Sequence, residues 1–266
     1  STFGRKNLCE YSLDEQRAPR EREAIVHSSM LAKISVEGVG AETFLQRVCT
    51  NNMAMACGRI AYTLLLNERG GIESDVTVAR YADDHFMVMS SIARTRRDYL
   101  WLAALIEPEE QVKLRDETAS LGVLGVMGPQ SRALMTAVTD LDVTNEAFPF
   151  NRFYECHIGH AKVTAQRLSY SGELGWEVLV TPDFAEHVLD SLLSAGAPLG
   201  VKLLGSEALN ALRIEKGFLH WGHDMAYTES PHQVGLDFTC KTDKPPASIG
   251  REAYLRRNAE ATGPYL

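Results

Sequence analysis

Two carboxylates in the sequence interrupt runs that otherwise alternate like β-strands. Asp75 lies within IESDVTV and Glu177 within GWEVLV, and each run follows a turn that contains glycine. A carboxylate among apolar neighbours must be hydrogen-bonded, ion-paired or neutral if it is buried. The residues alone leave two interpretations open, a solvent-facing strand or an acid of a binding site, and the solvent-facing strand is the commoner case.

Strand alternation divides the run around Asp75 into two faces, namely Ile72, Ser74, Val76 and Val78 on one side and Glu73, Asp75 and Thr77 on the other. Asp75 therefore belongs to a polar face, which is either solvent or the wall of a cleft. Arg213, within a predicted helix, has the same ambiguity. It pairs with Glu207 or Glu215, or it fixes an anionic ligand.

Two short clusters contain residue types that bind metals, namely Cys156, His157 and His160 in CHIGH, and His220, His223 and Asp224 in HWGHD. Catalytic zinc requires three converging protein ligands. Neither cluster is accompanied by a second cluster of metal-binding residues at a spacing typical of zinc sites. CHIGH also precedes a predicted strand, on which neighbouring side chains point to opposite faces. The sequence therefore predicts no metal site.

The glycine-rich stretch GVLGVMGP does not predict a nucleotide site. Its glycines, Gly122, Gly125 and Gly128, lack the spacing of a dinucleotide-binding fingerprint. No lysine follows a glycine loop in the manner of a phosphate-binding loop. A flavin used by this protein's system would therefore be bound outside this chain.

Composition limits the class of protein. The 266 residues are 45% hydrophobic and 23% charged, which is typical of a soluble globular protein of one or two domains. A net charge of −8 argues against a nucleic-acid partner, and no apolar run is long enough to span a bilayer, so no membrane partner is expected. Five scattered cysteines without a C-x-x-C motif indicate a reducing compartment.

Hydrophobic periodicity predicts hairpins beside helices without a regular βαβ order, which indicates an α+β fold. The first ten residues are predicted to be an extended lead-in. The predicted strands cover 32–38, 59–66, 72–81, 85–91, 121–129, 160–170 and 176–180. The predicted helices cover 15–26, 40–49, 97–106, 130–138, 183–195 and 206–216.

Several longer stretches carry a resemblance to one family. They are STFGRKN at the start, LLLNERGGIESDVTVAR, LGVMGPQSR, NEAFPF, LSYSGELGWEVLV, ALRIEKGFLHWGHD and GREAYLRR near the end. In this order they resemble the folate-binding region of the glycine-cleavage aminomethyltransferase (T-protein) family. The resemblance is closer to the C-terminal half of the dimethylglycine and sarcosine dehydrogenases, which STFGRKN and the WGHD stretch favour.

The resemblance implies a T-protein-like cloverleaf fold of antiparallel sheets and packed helices, with tetrahydrofolate in its central hole. It divides the chain into a discontinuous first folate-binding domain (1–50 plus 121–245), an inserted second domain (51–120) and a linker (246–266). The family's C-terminal barrel domain is missing and is expected after Leu266. The flavin-binding half, with its FAD, is expected upstream. The chain is therefore expected to be a segment of a longer polypeptide.

The resemblance also implies roles for the acids. Asp75 matches the family aspartate beside N5 and N10 of the folate, where the one-carbon unit is captured, and is the predicted catalytic residue. Glu177 matches the glutamate that binds the pterin ring, and Arg213 matches an arginine of the folate site. The other predicted cofactor-binding residues are Ser74 and Val76 beside the aspartate, Val178 and Leu179 beside the glutamate, Tyr170, and Phe238, which stands where relatives can carry tyrosine.

The function that the resemblance implies is capture of a one-carbon unit. Flavin oxidation of an N-methyl amine yields an iminium ion or formaldehyde, which condenses with tetrahydrofolate to 5,10-methylenetetrahydrofolate. The chain would be the accepting region of such a demethylating dehydrogenase, with the upstream flavin domain and the missing barrel as its partners. The bacterial cytoplasm and the mitochondrial matrix both fit this function.

Two alternatives stay open. In the first, a folate-dependent demethylase or a glycine-cleavage-type aminomethyltransferase receives its carbon from another donor, and the T-protein commonly has a second aspartate at the place of Ser74. The second alternative is a non-catalytic folate-binding regulatory module. Retention of Asp75, Glu177 and Arg213 argues against a module without chemistry.

Overall fold

The computed structural model describes residues 8–261 and residue 263, and STFGRKN at 1–7 lies outside the described residues. The helices are α1 (Leu8–Glu21), α2 (Ala41–Val48), α3 (Thr95–Ala104), α4 (Ser131–Val138), α5 (Pro182–Gly196), α6 (Ser206–Glu215) and α7 (Arg251–Glu260). The strands are β1 (Ala24–His27), β2 (Ala32–Glu37), β3 (Ile60–Leu66), β4 (Ile72–Ala82), β5 (His85–Ser90), β6 (Lys113–Asp116), β7 (Gly122–Met127), β8 (Phe153–Ile158), β9 (Ala161–Gln166), β10 (Gly175–Val180) and β11 (Lys202–Leu204). The predicted α+β class is confirmed.

The chain divides into two compact units, and each is described by itself. Unit 1 comprises the residues up to Ser29 together with Ser120–Phe218, and unit 2 comprises Met30–Ala119 together with the residues from Leu219 onward. The predicted domain boundaries at 50, 120 and 245 stay a prediction beside this division. None of the described helices is long and apolar enough to cross a membrane.

Unit 1 contains a six-stranded sheet in the order β11-β1-β7-β10-β9-β8. Neighbouring strands are antiparallel except β1 and β11, which are parallel. The central strands β7 and β10 are buried along their whole length. Burial on both faces explains why their sequences, GVLGVM and GWEVLV, are nearly continuous apolar runs.

Alternate residues of the unit 1 strands enter two separate cores. Trp176 and Val178 of β10 pack on the face that carries α4 and α5. Met127 of β7 packs on the other face, with α1 and with Leu212 of α6. Glu177 lies between Trp176 and Val178 in the chain, so strand alternation directs it to the face of α1 and α6.

Unit 2 contains a five-stranded sheet in the order β3-β4-β5-β2-β6, in which all neighbouring strands are antiparallel. One face packs around Phe44 of α2 and Leu102 of α3. On the other face Leu64 of β3 packs with Tyr254 of α7. The alternation predicted for β4 is confirmed, because its even-numbered residues from Ile72 to Val78 are buried while Glu73, Asp75 and Thr77 are partly exposed.

Two elements were predicted to extend too far toward the C-terminus. The predicted helix 15–26 ends at Glu21, and Ala24–His27 forms β1 between β7 and β11. This apolar run is buried on both sides as a strand, which outweighs the helical preference of the charged residues before it. The predicted strand 160–170 ends at Gln166, so Tyr170 lies in a turn and not on a strand.

Other elements were not visible in the sequence pattern. Residues 8–10, predicted as extended, begin α1. CHIGH precedes the strand β9 as predicted, and its first three residues, Cys156, His157 and Ile158, also form the end of β8. The strands β6, β8 and β11 and the helix α7 were not predicted. Two of these strands are very short and β8 is half-exposed, so each depends on pairing with a neighbour more than on its own apolar pattern.

Candidate functional site

Asp75 lies on the half-exposed face of β4. It pairs with Leu64 of β3, and Oη of Tyr62, two residues away on β3, donates a hydrogen bond to its Oδ2 across 3.1 Å. Burial raises the pKa of the Asp75 carboxyl to about 6, although the Tyr62 hydrogen bond and the nearby Arg94 act to lower it. A carboxyl group with this pKa can accept and return a proton near neutral pH.

An aromatic surface borders this carboxyl group. The ring of Tyr62 stacks on the ring of Phe238, with centroids 6.5 Å apart and an interplanar angle of 28°. Phe238 is 64% exposed. An exposed aromatic ring next to an acid with a raised pKa provides a surface on which a flat heterocycle can stack.

Trp221 and Arg94 hold the backbone that leads into Asp75. The indole Nε1 of Trp221 donates a hydrogen bond to the carbonyl oxygen of Ile72 at 2.8 Å. The guanidinium of Arg94 lies 3.3 Å from the centroid of the Trp221 ring and donates to the carbonyl oxygen of Glu73. The first residues of β4 are therefore anchored by side chains as well as by the sheet.

A buried ion pair lies next to this anchor. Arg94 and Asp98 are 5% and 2% exposed, and Nη2 of Arg94 lies 3.2 Å from Oδ1 of Asp98. The hydroxyl of Ser74 donates to the other oxygen of Asp98 at 2.9 Å. A buried charge pair needs such additional hydrogen bonds, so Ser74 has a clear internal role, and its predicted contact with a ligand stays a prediction.

Glu177, in unit 1, occupies the middle of β10. It pairs with Gly125 of β7 and with Gln166 of β9, and it is 7% exposed. Burial raises the pKa of its carboxyl to about 7. Within residues 8–261 and 263, its carboxylate forms no hydrogen bond or ion pair with another residue.

Gln166 is a buried polar group that pairs with Glu177 across the strands β9 and β10. It is 1% exposed, and neither its Oε1 nor its Nε2 has a hydrogen-bond partner in the part of the chain that the structure describes. A buried polar group without a partner costs roughly 1–3 kcal/mol of stability. The two neighbours therefore present an acceptor and a donor–acceptor amide that a ligand with complementary groups could satisfy.

Arg213 anchors an aromatic pair in unit 1. Tyr170 stacks with Phe218, with centroids 6.3 Å apart and an interplanar angle of 21°. Nη1 of Arg213 donates to the carbonyl oxygen of Phe218 at 2.9 Å, and its Nε and Nη2 donate to Oδ1 of Asn210 at 2.9 and 2.7 Å. Arg213 is 2% exposed. These bonds give it a role within unit 1, and its predicted contact with a ligand stays a prediction.

The predicted apolar contacts are buried strand residues. Val76, Val178 and Leu179 are 2%, 0% and 2% exposed. Val76 belongs to the core of unit 2 and Val178 to a core of unit 1. Their side chains stabilise the strands that carry Asp75 and Glu177, and their contact with a cofactor stays a prediction.

Both histidine-containing clusters make local contacts, and in CHIGH the ring of His160 stacks on the ring of His187 with centroids 3.8 Å apart. Among residues 8–261 and 263, no three His, Cys, Asp or Glu side chains are arranged to hold a metal ion. In HWGHD the backbone N–H of His220 donates to Oδ2 of Asp224 at 2.8 Å, and the rings of His220 and His223 lie 4.4 Å apart. This stretch stabilises its own turn.

The predicted site residues form two groups. Unit 2 contains Ser74, Asp75, Val76 and Phe238, and unit 1 contains Tyr170, Glu177, Val178, Leu179 and Arg213. Sequence reasoning missed Tyr62 and Gln166. The alternating pattern placed each of them on a predicted strand. It could not show that Tyr62 lies near Asp75 or that Gln166 lies opposite Glu177, because these neighbours depend on the register in which the strands pair.

The fold, two mainly antiparallel sheets with packed helices, is that of the aminomethyltransferases. The glycine cleavage system aminomethyltransferase T from Bartonella henselae matches with a TM-score of 0.82 and 24% identity, over 95% of this chain and 67% of that chain. The predicted T-protein-like fold is confirmed. The described residues form no closed barrel.

The family follows from the sequence match. The family model described as the GCVT N-terminal domain matches residues 2–244, and the chain belongs to this family. A formaldehyde-forming 4-methylaminobutanoate oxidase of Paenarthrobacter nicotinovorans is 35% identical over 98% of this chain and 31% of its own length. Human mitochondrial sarcosine dehydrogenase is 33% identical over 91% of this chain and 28% of its own length.

Other relatives confirm the predicted resemblance to both branches. An aminomethyltransferase of Chloroherpeton thalassium is 29% identical over 87% of this chain and 64% of its own length. Rat mitochondrial dimethylglycine dehydrogenase is 30% identical over 97% of this chain and 30% of its own length. The chain thus spans about a third of the length of the oxidase and the dehydrogenases that it matches.

Proposed function

We propose that this chain binds tetrahydrofolate and accepts a one-carbon unit on it. The observation that carries the proposal is that two polar groups without a partner among the described residues lie opposite each other on neighbouring strands: the Glu177 carboxylate, 7% exposed with a pKa raised to about 7 by burial, and the fully buried amide of Gln166. Buried polar groups are nearly always hydrogen-bonded, and strongly shifted carboxyls concentrate at functional sites. Membership of the GCVT family makes tetrahydrofolate the ligand to test.

The residues around Glu177 fit the amino-pyrimidinone edge of a pterin. That edge has adjacent N–H donors, which one carboxylate can accept, and each charge-assisted hydrogen bond contributes roughly 1.5–3 kcal/mol. The neighbouring Gln166 has an unpaired amide that can both donate and accept. In the absence of a ligand these two groups lower the stability of the protein. When a ligand is bound, the same groups would select it through hydrogen bonds.

We assign the acid–base role to Asp75. Tetrahydrofolate, when bound, supplies the nitrogen atoms that take up the one-carbon unit. Asp75 would stabilise the positive charge that develops in this step and accept the proton that is released, and its pKa of about 6 suits both tasks. General base catalysis of this kind contributes typically 10²–10⁴-fold in rate. Tyr62 holds the carboxylate through its hydrogen bond to Oδ2.

The carbon source that we favour is an N-methyl amine oxidised by a flavin. The names of two relatives, a formaldehyde-forming 4-methylaminobutanoate oxidase and a sarcosine dehydrogenase, describe oxidation of methylamino compounds. The FAD of such a reaction would be held upstream of this region, and a C-terminal barrel would be the second partner. The bacterial cytoplasm and the mitochondrial matrix are the compartments that fit this proposal.

A second candidate is aminomethyl transfer with another carbon donor. The match to the Chloroherpeton thalassium aminomethyltransferase, which covers 64% of that protein, favours it. Ser74 argues against it, because the T-protein resemblance expects a second aspartate at this place. Here the serine hydroxyl donates to buried Asp98, which would repel a second carboxylate.

Calorimetric titration of (6S)-tetrahydrofolate tests the proposal. Glu177→Gln keeps the shape of the side chain and removes its charge, and we expect at least tenfold weaker binding, since roughly 1.4 kcal/mol corresponds to a factor of ten. Glu23→Gln is the matched control. Glu23 lies in the same unit, is 0% exposed, has a pKa raised to about 7 by burial, and has no partner for either oxygen among the described residues.

The Glu23→Gln variant distinguishes a direct contact between Glu177 and the ligand from an indirect effect of a changed protein stability. If Glu23→Gln keeps the affinity and Glu177→Gln loses it, the carboxylate of Glu177 contacts the ligand. Unchanged affinity in Glu177→Gln refutes the proposed binding role. Asp75→Asn should keep the affinity and abolish the acceleration of 5,10-methylenetetrahydrofolate formation from formaldehyde, measured above the uncatalysed rate.

A further inference from the structure

Unit 2 carries a surface cavity of about 660 Å³ that the proposed folate chemistry does not use. It is formed by α2, by the loop that follows α2 and by the segment 241–246. Two lysines, Lys241 and Lys244, line it together with Thr43 and Asn52. A cavity with amines in its wall can receive an electrophile if one of the amines is neutral.

Lys244 is the buried amine of this cavity, with 7% of its surface exposed. Its Nζ donates hydrogen bonds to the backbone oxygen of Gln46 and, at 3.1 Å, to Oε1 of the same residue. Both acceptors are uncharged, and burial lowers the pKa of Lys244 to about 8. Roughly a tenth of such an amine is therefore neutral at pH 7.

The charged groups that face this amine do not favour its ammonium form strongly. The carboxylate of Glu42 lies 2.6 Å from Nη1 of Arg80, which neutralises it. Asp243 is exposed to solvent, and Lys241 is exposed and has the same sign of charge. Burial raises the pKa of the Cys49 thiol to about 12, so this neighbour is uncharged at neutral pH.

A chain of amides connects the amine to Asn52. Nε2 of Gln46 donates to Oδ1 of Asn52 at 2.6 Å, and the backbone N–H of Ala54 donates to the same oxygen at 2.9 Å. Oε1 of Gln46 accepts from the backbone N–H of Met53 at 3.1 Å as well as from Lys244. Asn52 lines the cavity, and with its oxygen engaged in this way its NH₂ group is the part of the side chain that can donate to a ligand.

We propose that Lys244 is a reversible covalent binding site for small aldehydes such as formaldehyde. The neutral Nζ adds to the carbonyl carbon, so that an N–C bond forms, the carbonyl π bond breaks and one proton passes from nitrogen to oxygen. Protonation of the resulting hydroxyl and loss of water give an iminium ion, and addition of water reverses both steps. The NH₂ of Asn52 is the donor for the oxygen of the adduct.

The size of the aldehyde follows from the burial of the amine. A lysine that is 7% exposed admits a small electrophile and excludes a bulky one. The site itself stands on the cavity and on Lys244, independently of folate. Only the supply of formaldehyde rests on the proposed function, through a relative that is named as formaldehyde-forming.

Reductive labelling tests the site. The protein is treated briefly with limiting deuterated formaldehyde and sodium cyanoborohydride at pH 7, and methylation of each lysine is measured by peptide mass spectrometry. Lys241 lines the same cavity but is exposed. Lys33 is 0% exposed with a pKa lowered to about 8, and it does not line the cavity. We expect Lys244 to be labelled at least tenfold faster than either.

Each outcome decides the proposal. Labelling of Lys244 no faster than that of Lys241 overturns it, because the buried amine is then not activated. Equal labelling of Lys33 also overturns it, because the reagent then enters by unfolding and not through the cavity. Asn52→Ala should slow labelling of Lys244 several-fold and leave Lys33 unchanged. Calorimetry of Lys244→Arg with tetrahydrofolate should match the unaltered protein, so a failure here is distinct from a failure of the folate proposal.

Discussion

The phenol of Tyr62 donates a hydrogen bond to Oδ2 of Asp75 across 3.1 Å, from one strand of an antiparallel pair to the next. This bond stabilises the charged carboxylate, whereas burial destabilises it, and the result is a pKa of about 6. The ring of Tyr62 also stacks on the exposed ring of Phe238. Tyr62 is therefore a determinant of the pH at which Asp75 ionises, although it was not among the predicted site residues.

Tyr62→Phe should raise the pKa of Asp75 by roughly one unit, since a hydrogen bond to a charged group contributes about 1.5–3 kcal/mol and one unit corresponds to about 1.4 kcal/mol. The acid limb of the pH–rate profile for one-carbon transfer should move to higher pH, while rates above pH 8 converge. Tyr81→Phe, on β4 beside His85, is the control and should leave the limb in place. An unmoved limb in Tyr62→Phe contradicts the tuning role.

The buried carboxyls of unit 1 make its stability depend on pH. Glu177 and Glu23 each have a pKa raised from 4.5 to about 7 by burial. Between these values the folded state binds more protons than the unfolded state, so the free energy of unfolding falls as pH rises through the window. Each carboxyl costs on the order of 3 kcal/mol above pH 7.

Glu23→Gln and Glu177→Gln should therefore each gain stability relative to the unaltered protein at pH 8, and much less at pH 4.5. Urea unfolding at the two pH values measures the difference. Only Glu177→Gln should also lose affinity for tetrahydrofolate. If both variants show the same stability difference at pH 4.5 and pH 8, the two carboxyls do not ionise within this window.

The sequence could predict the candidate acids but not their surroundings. Strand alternation separated Asp75 from Ile72 and Val76, and the structure confirms that separation. Periodicity could not assign Asp75 or Glu177 to a site, because a polar residue on a strand usually faces solvent. Only the family resemblance singled them out.

What the sequence missed depends on strand register and tertiary contacts. Gln166 belongs to the candidate site because strand pairing places it opposite Glu177. Trp221 belongs to it because its indole donates a hydrogen bond to the carbonyl oxygen of Ile72, which is far away in the sequence. The strand Ala24–His27 was predicted as helix because local propensity favoured the charged segment before it, while burial between two strands decided its conformation.

The ion pair of Arg94 and Asp98 should be a large contributor to the stability of unit 2. Asp98→Asn leaves the buried guanidinium without its counter-charge, and breaking a buried pair costs roughly 3–5 kcal/mol. Urea unfolding at neutral pH measures this loss. Glu155→Gln is the control, because its pair with Lys162 at 2.9 Å is exposed and such pairs contribute little. Equal losses in the two variants contradict the assignment.

We expect Arg213 to support ligand binding indirectly, because it holds the backbone at Phe218. Lysine cannot contact Asn210 twice and also reach the carbonyl oxygen of Phe218, so Arg213→Lys should lose roughly 1–3 kcal/mol of stability and bind tetrahydrofolate several-fold more weakly. Asn210→Ala keeps the charge of Arg213 and should weaken binding in the same direction, as measured by calorimetry.

Arg167→Lys is the matched control for this prediction. Arg167 also donates to an asparagine, Asn145, and to a backbone oxygen, that of Phe148, in the same unit. Its loss should lower stability by a similar amount and leave the affinity unchanged, because it stands beside Trp176 on the other core of the sheet. If Arg213→Lys and Asn210→Ala both keep full affinity, the anchoring of Phe218 by Arg213 does not contribute to ligand binding.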